Sequence, residues 1–323
     1  MNDTPDNPNT PNTPNTPNKP NKLMTMTEAI ERFVPDGASV AMGLALEPLI
    51  PFAAGHEIIR QGRRDLTLIG PISDILFDEL IGAGCVTKIA AAWVGNVSEG
   101  LGYNYRRAAE KGLPHPITIE DYSNYSIALA LQAGALGVPY IPMRSLLGSD
   151  IARDHPAIRP HESPLDDSPT LLVPALRPDV AIIHVQRADA AGRAHVWGGL
   201  GVCEEAALGA RDVIYTAEEI VPAEVILSDP NRVLAPGGKT LAVVHAPGGA
   251  HPSPVQGYYN RDHAYFAEYH DRSRTPEDFA AWLREQVLDV PHRAAYLERL
   301  GAERWQSLAI HTPLLAAPVD YGM

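Results

Sequence analysis

The sequence predicts an α/β protein, an open and mostly parallel sheet with helices on both faces. Two observations carry this. The candidate strands are continuously apolar, as in VTKIAAAWVG (86–95) and VAIIHVQ (180–186), which is what strands buried on both faces require. They also alternate with segments of helical period, the pattern of parallel strands joined by crossover helices. A chain of 323 residues with 45% hydrophobic side chains can bury a core of this size.

The elements follow in order. MTEAIERFV (26–34) has helical spacing, with Thr27 as its N-cap and Pro35-Asp36-Gly37 as its stop. ASVAMG (38–43) is a strand running into a loop, and Pro51 to Gln61 is a helix closed by Gly62. DLTLIG (65–70) is the second strand, SDILFDELIGAG (73–84) a helix, and 86–95 the third strand. Residues 103–111 read as helix, PITIED (116–121) as strand, YSIALALQAGALG (125–137) as helix and PYIPMR (139–144) as strand. His155–Ser168 is rich in proline and acids and reads as a long loop. Strands are expected at 171–173, 180–186, 212–221, VILS (225–228) and LAVVHA (241–246), with a helix at 204–209. The expected division is a disordered Asn/Thr/Pro tail over 1–23 and one domain over 24–323, with a C-terminal helical extension at about 276–308.

Bulk properties remove several classes of function. A net charge of −13 opposes general nucleic-acid binding, which needs a basic face. The two cysteines, Cys85 and Cys203, form neither a disulfide framework nor a zinc ligand set, so no metal is expected. No apolar run reaches the roughly 18–20 residues of a membrane span. The N-terminus has no basic and apolar leader pattern, so the cytoplasm is the expected compartment.

Parallel sheets bind ligands beyond the carboxyl ends of their strands. The loops of interest are therefore 42–47, 70–73, 95–102, 121–124, 144–150, 187–201 and 246–254. Gly43, Pro71, Ile72, Gly95, Asn96, Ser123, Asn124, Gly148, Ser149 and His251 end or follow strands and are the expected cleft residues. Glu99 lies in a glycine-rich loop after a buried strand, a placement that suits a catalytic carboxylate.

Other motifs weaken on inspection. HEIIR (56–60) lacks the second histidine of a zinc clamp. Gly82–Gly84 reads as a helix cap, and Gly198–Gly201 as a close approach of either backbone or ligand. No dinucleotide fingerprint, phosphate loop or nucleophile elbow is present. Arg106, Arg107 and Lys111 are either a solvated helix face or an anion contact. His184, inside an apolar strand, reads as a core histidine.

Taken together, PDGASVAMG (35–43), AAGHEIIRQGRRDLTLIG (53–70), DELIGAGCVTKIAAAWVGN (78–96), QAGALGVPYIPMRSLLGSD (132–150), HVQRADAAGRAHVWG (184–198) and APGGAHPSP (246–254) carry a resemblance. The chain resembles the alpha (A-type) subunit of family I coenzyme A transferases, of the glutaconate CoA-transferase type. The resemblance implies a fold similar to ribose-5-phosphate isomerase and a beta-subunit partner, often in a heterotetramer. It implies transfer of CoA between an acyl-CoA and a carboxylic or dicarboxylic acid, with coenzyme A as substrate and no cofactor. It also implies a glutamyl-CoA intermediate on the beta subunit, whose glutamate follows the second strand. Here the loop after the second strand is Gly70-Pro71-Ile72-Ser73, with no acid before Asp74. No catalytic residue is therefore expected on this chain, and Glu99 becomes a wall of the cleft.

Two other readings stay open. One is a CoA-thioester ring-opening hydrolase of the same fold, whose important acid aligns near Asn124, where an amide cannot act as a general base. The other is a subunit that holds acyl-CoA without chemistry.

Overall fold

A computed structural model describes residues 21–310 of the chain. Residues 1–20 of the expected tail, and residues 311–323, lie outside the described residues. Lys22 and Leu23, which the tail was expected to include, belong to the fold. The Lys22 carbonyl accepts from the Val243 N–H, and Leu23 bridges Val243 in parallel.

The first half of the chain builds one side of the sheet. Helix α1 (Met26–Phe33) is capped by Thr25, two residues before the expected cap, because Thr25 and Glu28 close a reciprocal capping box. Then follow β1 (Ser39–Ala41), α2 (Phe52–Arg60), β2 (Leu66–Ile72), α3 (Asp74–Gly82), β3 (Val86–Trp93), α4 (Tyr103–Lys111), β4 (Thr118–Asp121) and α5 (Asn124–Leu136). The chain next leaves the sheet for β5 (Tyr140–Met143), α6 (Asp150–Asp154), β6 (Arg159–Glu162) and β7 (Pro169–Pro174). It returns through β8 (Val180–Ala188), β9 (Ala194–His195), α7 (Cys203–Gly209), β10 (Asp212–Ile220), α8 (Ala223–Leu227) and β11 (Thr240–His245). Helices α9 (His263–Arg272), α10 (Pro276–Leu283), α11 (Arg293–Leu300) and α12 (Ala302–Ser307) follow, with a π turn at Arg284–Leu288.

The main sheet runs β11-β10-β8-β1-β2-β3-β4, all parallel, with β9 pairing antiparallel to β8. Its two faces feed separate cores. Val40, Leu68, Ile182 and Ile214 pack with α1–α3 and α9–α11, while Ala41, Ile69, Ile183 and Tyr215 pack with α5 and α7. The expected α/β architecture is thus present. Three local expectations are not met. PYIPMR does not join the parallel sheet. Its strand β5 pairs antiparallel with β7, which also pairs with β6, inside the expected long loop. VILS belongs to α8, with Ile226 buried and the solvent-exposed Leu227 on the other side.

Candidate active-site cleft

Strand order reverses at β1: β2–β4 extend to one side and β8, β10 and β11 to the other. Open parallel sheets bind ligands outside such a switch point. The loop leaving β1 is forced into unusual backbone. Leu46 and Leu49 hold φ of 70° and 59°, a region that non-glycine residues enter at a cost. Gly43 (φ +65°) lies so close to Ser73 that a Cβ would stand 2.0 Å from its Oγ. Ser73 Oγ in turn donates to the Met42 carbonyl at 3.1 Å. Gly201 presses its backbone against Leu44, where a Cβ would stand 2.1 Å from the carbonyl oxygen. Gly201 thus serves a close approach of backbones, whereas Gly198 lies against the Gln256 side chain.

Where β2 ends, Asp74 opens α3 at φ 45°, with its side chain fully buried. One carboxylate oxygen accepts from the Val97 N–H at 3.0 Å and the other from Arg261 Nη2 at 2.6 Å. Burial pushes the Asp74 carboxyl up to about 6, against the pull of Arg261. Arg261 Nη2 also donates to Ser98 Oγ at 3.0 Å, and the guanidinium lies 3.6 Å over the Phe266 ring. Glu47, after β1, places its carboxylate 3.9 Å from Arg261 Nη1. Loops following β1, β2 and β3 therefore meet at one buried cation.

The other side of the switch point carries histidines. His184 on β8 contacts Thr216 and Glu218 of β10, each at 2.8 Å. Glu218 also accepts from Tyr259 Oη at 2.7 Å and from the Gly248 N–H at 2.8 Å. His251 sits between Tyr296 Oη (2.9 Å) and Asp262 Oδ2 (3.0 Å), and Arg304 holds the same carboxylate through Nε at 2.7 Å. Burial pulls His251 down to about 4, so it is a neutral imidazole near pH 7.

The coenzyme A transferase family model matches residues 23–246. The chain belongs to that family. It is 42% identical over 265 residues to the A-type subunit of 3-oxoadipate CoA-transferase of Pseudomonas knackmussii, covering 82% of this chain and 93% of the relative. It is 34% identical over 315 residues to the A-type subunit of glutaconate CoA-transferase of Acidaminococcus fermentans, covering 92% and 97%. The crystal structure of glutaconate coenzyme A-transferase from that organism superposes with a TM-score of 0.86 over 93% of this chain and 98% of the other, at 34% identity. A cholesterol ring-cleaving hydrolase IpdA subunit of Rhodococcus jostii is more distant, at 29% over 252 residues, covering 72% and 79%. The resemblance read from the HEIIRQG–RRDLTLI and GGAHP segments is borne out, and the chain is a transferase by family.

The structure of this coenzyme A transferase chain sorts the expected cleft residues. Pro71 and Ile72 are the last two residues of β2 and not part of a loop after it, and Ile72 registers with Trp93. Gly43 and Gly95 are buried, the latter under the Trp93 ring. Asn96 was expected to line the cleft. It is instead fully buried: Nδ2 donates to the Phe266 carbonyl at 2.8 Å, and Oδ1 accepts from the Ser98 and Glu99 N–H groups, both at 3.1 Å. It shapes the loop from inside. His251, a candidate ligand contact, is also fully buried, because Tyr296, Asp262 and Trp305 enclose it from distant parts of the chain.

Ser123 caps α5 and accepts from the Ser126 N–H at 3.0 Å, leaving Asn124 exposed on the first turn. Gly148 and Ser149 follow β5, outside the parallel sheet. Ser149 caps α6, which reaches the carboxyl end of β4 beside Asp121. Glu99 is exposed in its turn, and its carboxylate has no partner among the described residues.

The HEIIR helix and the paired arginines make these contacts. His56 pairs with the buried Glu79 at 3.1 Å and Arg60 with Glu57 at 2.8 Å. Arg106 pairs with Glu110, and Arg107 donates to the Ser273 and Arg274 carbonyls. Among the described residues no cluster of three or more His, Cys, Asp or Glu side chains could hold a metal ion. A cleft of about 470 Å³ lies beside loop 95–102, floored by Ile89, Ala91 and Trp93 and walled by Tyr105 and Arg106. Sequence reasoning missed the Arg261–Asp74–Ser98 cluster, since nothing local marks Arg261 as the partner of loops more than 160 residues away.

Proposed function

We propose that the chain is the alpha subunit of a heteromeric CoA-transferase of the cytoplasm, moving CoA between an acyl-CoA and a carboxylic acid. 3-Oxoadipate and glutaconate, named in the two transferase relatives, are dicarboxylates, which supports an acid of that class. One observation carries the division of labour. At the end of β2, where the partner type of this family bears its glutamate, Gly70–Ser73 offers no acid, and Asp74 is buried and occupied by Arg261 and Val97. The nucleophile then comes from the beta subunit.

The partner's glutamate carboxylate attacks the thioester carbonyl, and CoA leaves as thiolate, giving a mixed anhydride. The thiolate attacks the glutamyl carbonyl and expels the acyl group as a free carboxylate. The acceptor acid reverses both steps. This chain supplies walls and backbone at the carboxyl ends of β1–β4. The exposed side chains Leu46, Val97, Leu101, Leu147 and Leu200 lie on loops that follow strands, with Tyr125 on the first turn of α5, an apolar rim suited to the partner. A heterotetramer of two such pairs is the assembly proposed. CoA is substrate, and the scheme calls for no cofactor.

The test is co-expression with a beta-type partner, then trapping with borohydride or hydroxylamine during turnover of an acyl-CoA with a dicarboxylate. The adduct is expected on the beta subunit, with negligible transfer by this chain alone. An adduct on this chain, or robust transfer without a partner, would overturn the proposal. Entry of ¹⁸O from water into a ring-opened product, without CoA transfer, would establish the hydrolase instead.

A further inference from the structure

Asp74 has more than a neutralising partner. Arg261 is buried, with its side chain 1% exposed, yet it touches three loops of different origin. Nη2 is shared between Asp74 and Ser98, tying the start of α3 to the loop after β3. The ring of Phe266 supports the guanidinium, and the Phe266 carbonyl holds Asn96, which organises that same loop. Nη1 has no hydrogen-bond partner and faces Glu47 at 3.9 Å. The Glu47 side chain is 25% exposed, so it stands between the buried cation and solvent at the switch point. A group that only neutralised Asp74 would need one contact. The strained backbone at Leu46 and Asp74 shows that both loops are held out of their ordinary geometry.

We infer that Arg261 is a positioning residue for CoA transfer: it sets the loop over 95–102 and the Glu47 loop against each other at the carboxyl ends of β1 and β3. The inference rests on the transferase reading above, and acts through loop geometry, not through contact with the reacting atoms. Arginine suits this because its planar fork fixes direction at several acceptors, whereas a lysine ammonium is a single flexible point charge.

The test uses the assembled complex with three forms of this chain: Arg261→Lys, Arg261→Met/Asp74→Asn and wild type. The Lys variant keeps the charge beside Asp74 but loses the fork. It is expected to lower kcat about tenfold while KM for the acyl-CoA stays within about twofold. The double variant removes both charges, so no bare carboxylate is left buried, and kcat is expected to stay about tenfold low. Recovery of kcat to within about twofold in the double variant would reduce Arg261 to a neutraliser of Asp74 and overturn the inference.

Amide hydrogen exchange over 43–49 and 95–102 reads the same link without turnover. Both loops are expected to exchange faster in Arg261→Lys, and unchanged exchange in either would overturn it. A wild-type complex that transfers no CoA would refute the transferase reading, while the exchange result would still decide the role of Arg261.

Discussion

The two halves of the parallel sheet end in different chemistry. On the β2–β4 side, the buried acid Asp74 faces a guanidinium that stays charged across the accessible pH range. On the β8–β11 side, acids face imidazoles and phenols: Glu218 with His184 and Tyr259, and Asp262 with His251. Arg304 joins only at the rim, 30% exposed. In the first arrangement the acid, pushed up to about 6, gives up its charge to a proton only as pH falls through that value. In the second, burial keeps His251 a neutral imidazole against Asp262 near pH 7. The loops at the switch point are thus tied through a guanidinium, and the C-terminal helices are docked in part through the buried His251–Asp262 pair.

The strongest way to break this contrast is to remove the acid of the second half. Asp262→Ala leaves the buried His251 Nε2 without its partner and takes the carboxylate from Arg304, and is expected to cost about 3 kcal/mol in urea unfolding. A loss below about 1 kcal/mol would show that Arg304 and solvent compensate, and that this half is not held by side-chain charge. The first half depends on backbone contact, so a single methyl is its probe. Gly43→Ala meets Ser73 at a left-handed φ and is expected to cost about 2 kcal/mol and to depress transfer with it. Wild-type stability in that variant would mean that the β1 and β2 ends are not packed as described.

A pH series sharpens the comparison further. His251 binds a proton in the unfolded chain near its ordinary 6.5 but in the folded chain only near about 4. Its contribution is therefore complete above pH 6.5 and is lost as pH falls towards 4. Over that window His251→Asn should flatten the fall in unfolding free energy by up to about 1.4 kcal/mol per pH unit. Parallel curves for the two proteins would place the acid sensitivity elsewhere. The smallest effect is expected from Glu99→Gln, since the carboxylate is exposed and unpaired in the loop. Transfer by the complex should stay within about twofold, and near-complete loss with intact assembly would return Glu99 to the catalytic machinery.

Much of the fold was legible because burial on both faces writes itself locally. VAIIHVQ and VTKIAAAWVG could be little else than central strands, and the GGAHP and HEIIRQG segments marked the family. The small sheet was not legible. PYIPMR is as apolar as a central strand, and RPHE on β6 carries no apolar residue beyond its proline, so only pairing across the chain separates them. The site was half legible. Position after a strand was read correctly for Asn96 and His251, but the direction of each side chain was decided by Phe266, Asp262 and Tyr296, far along the sequence. Arg261 had no local signal at all, because its meaning lies wholly in what folds around it.

The pairing of Lys22 and Leu23 beside β11 reaches beyond their own contacts. β11 is the last strand of the sheet on that side, and its apolar run would otherwise offer open N–H and C=O groups to any extended peptide. Those few residues act as insulation against uncontrolled sheet growth. A shortened chain for expression should begin before Lys22, because a cut at Thr25 would keep the whole cleft and yet bare a sticky edge.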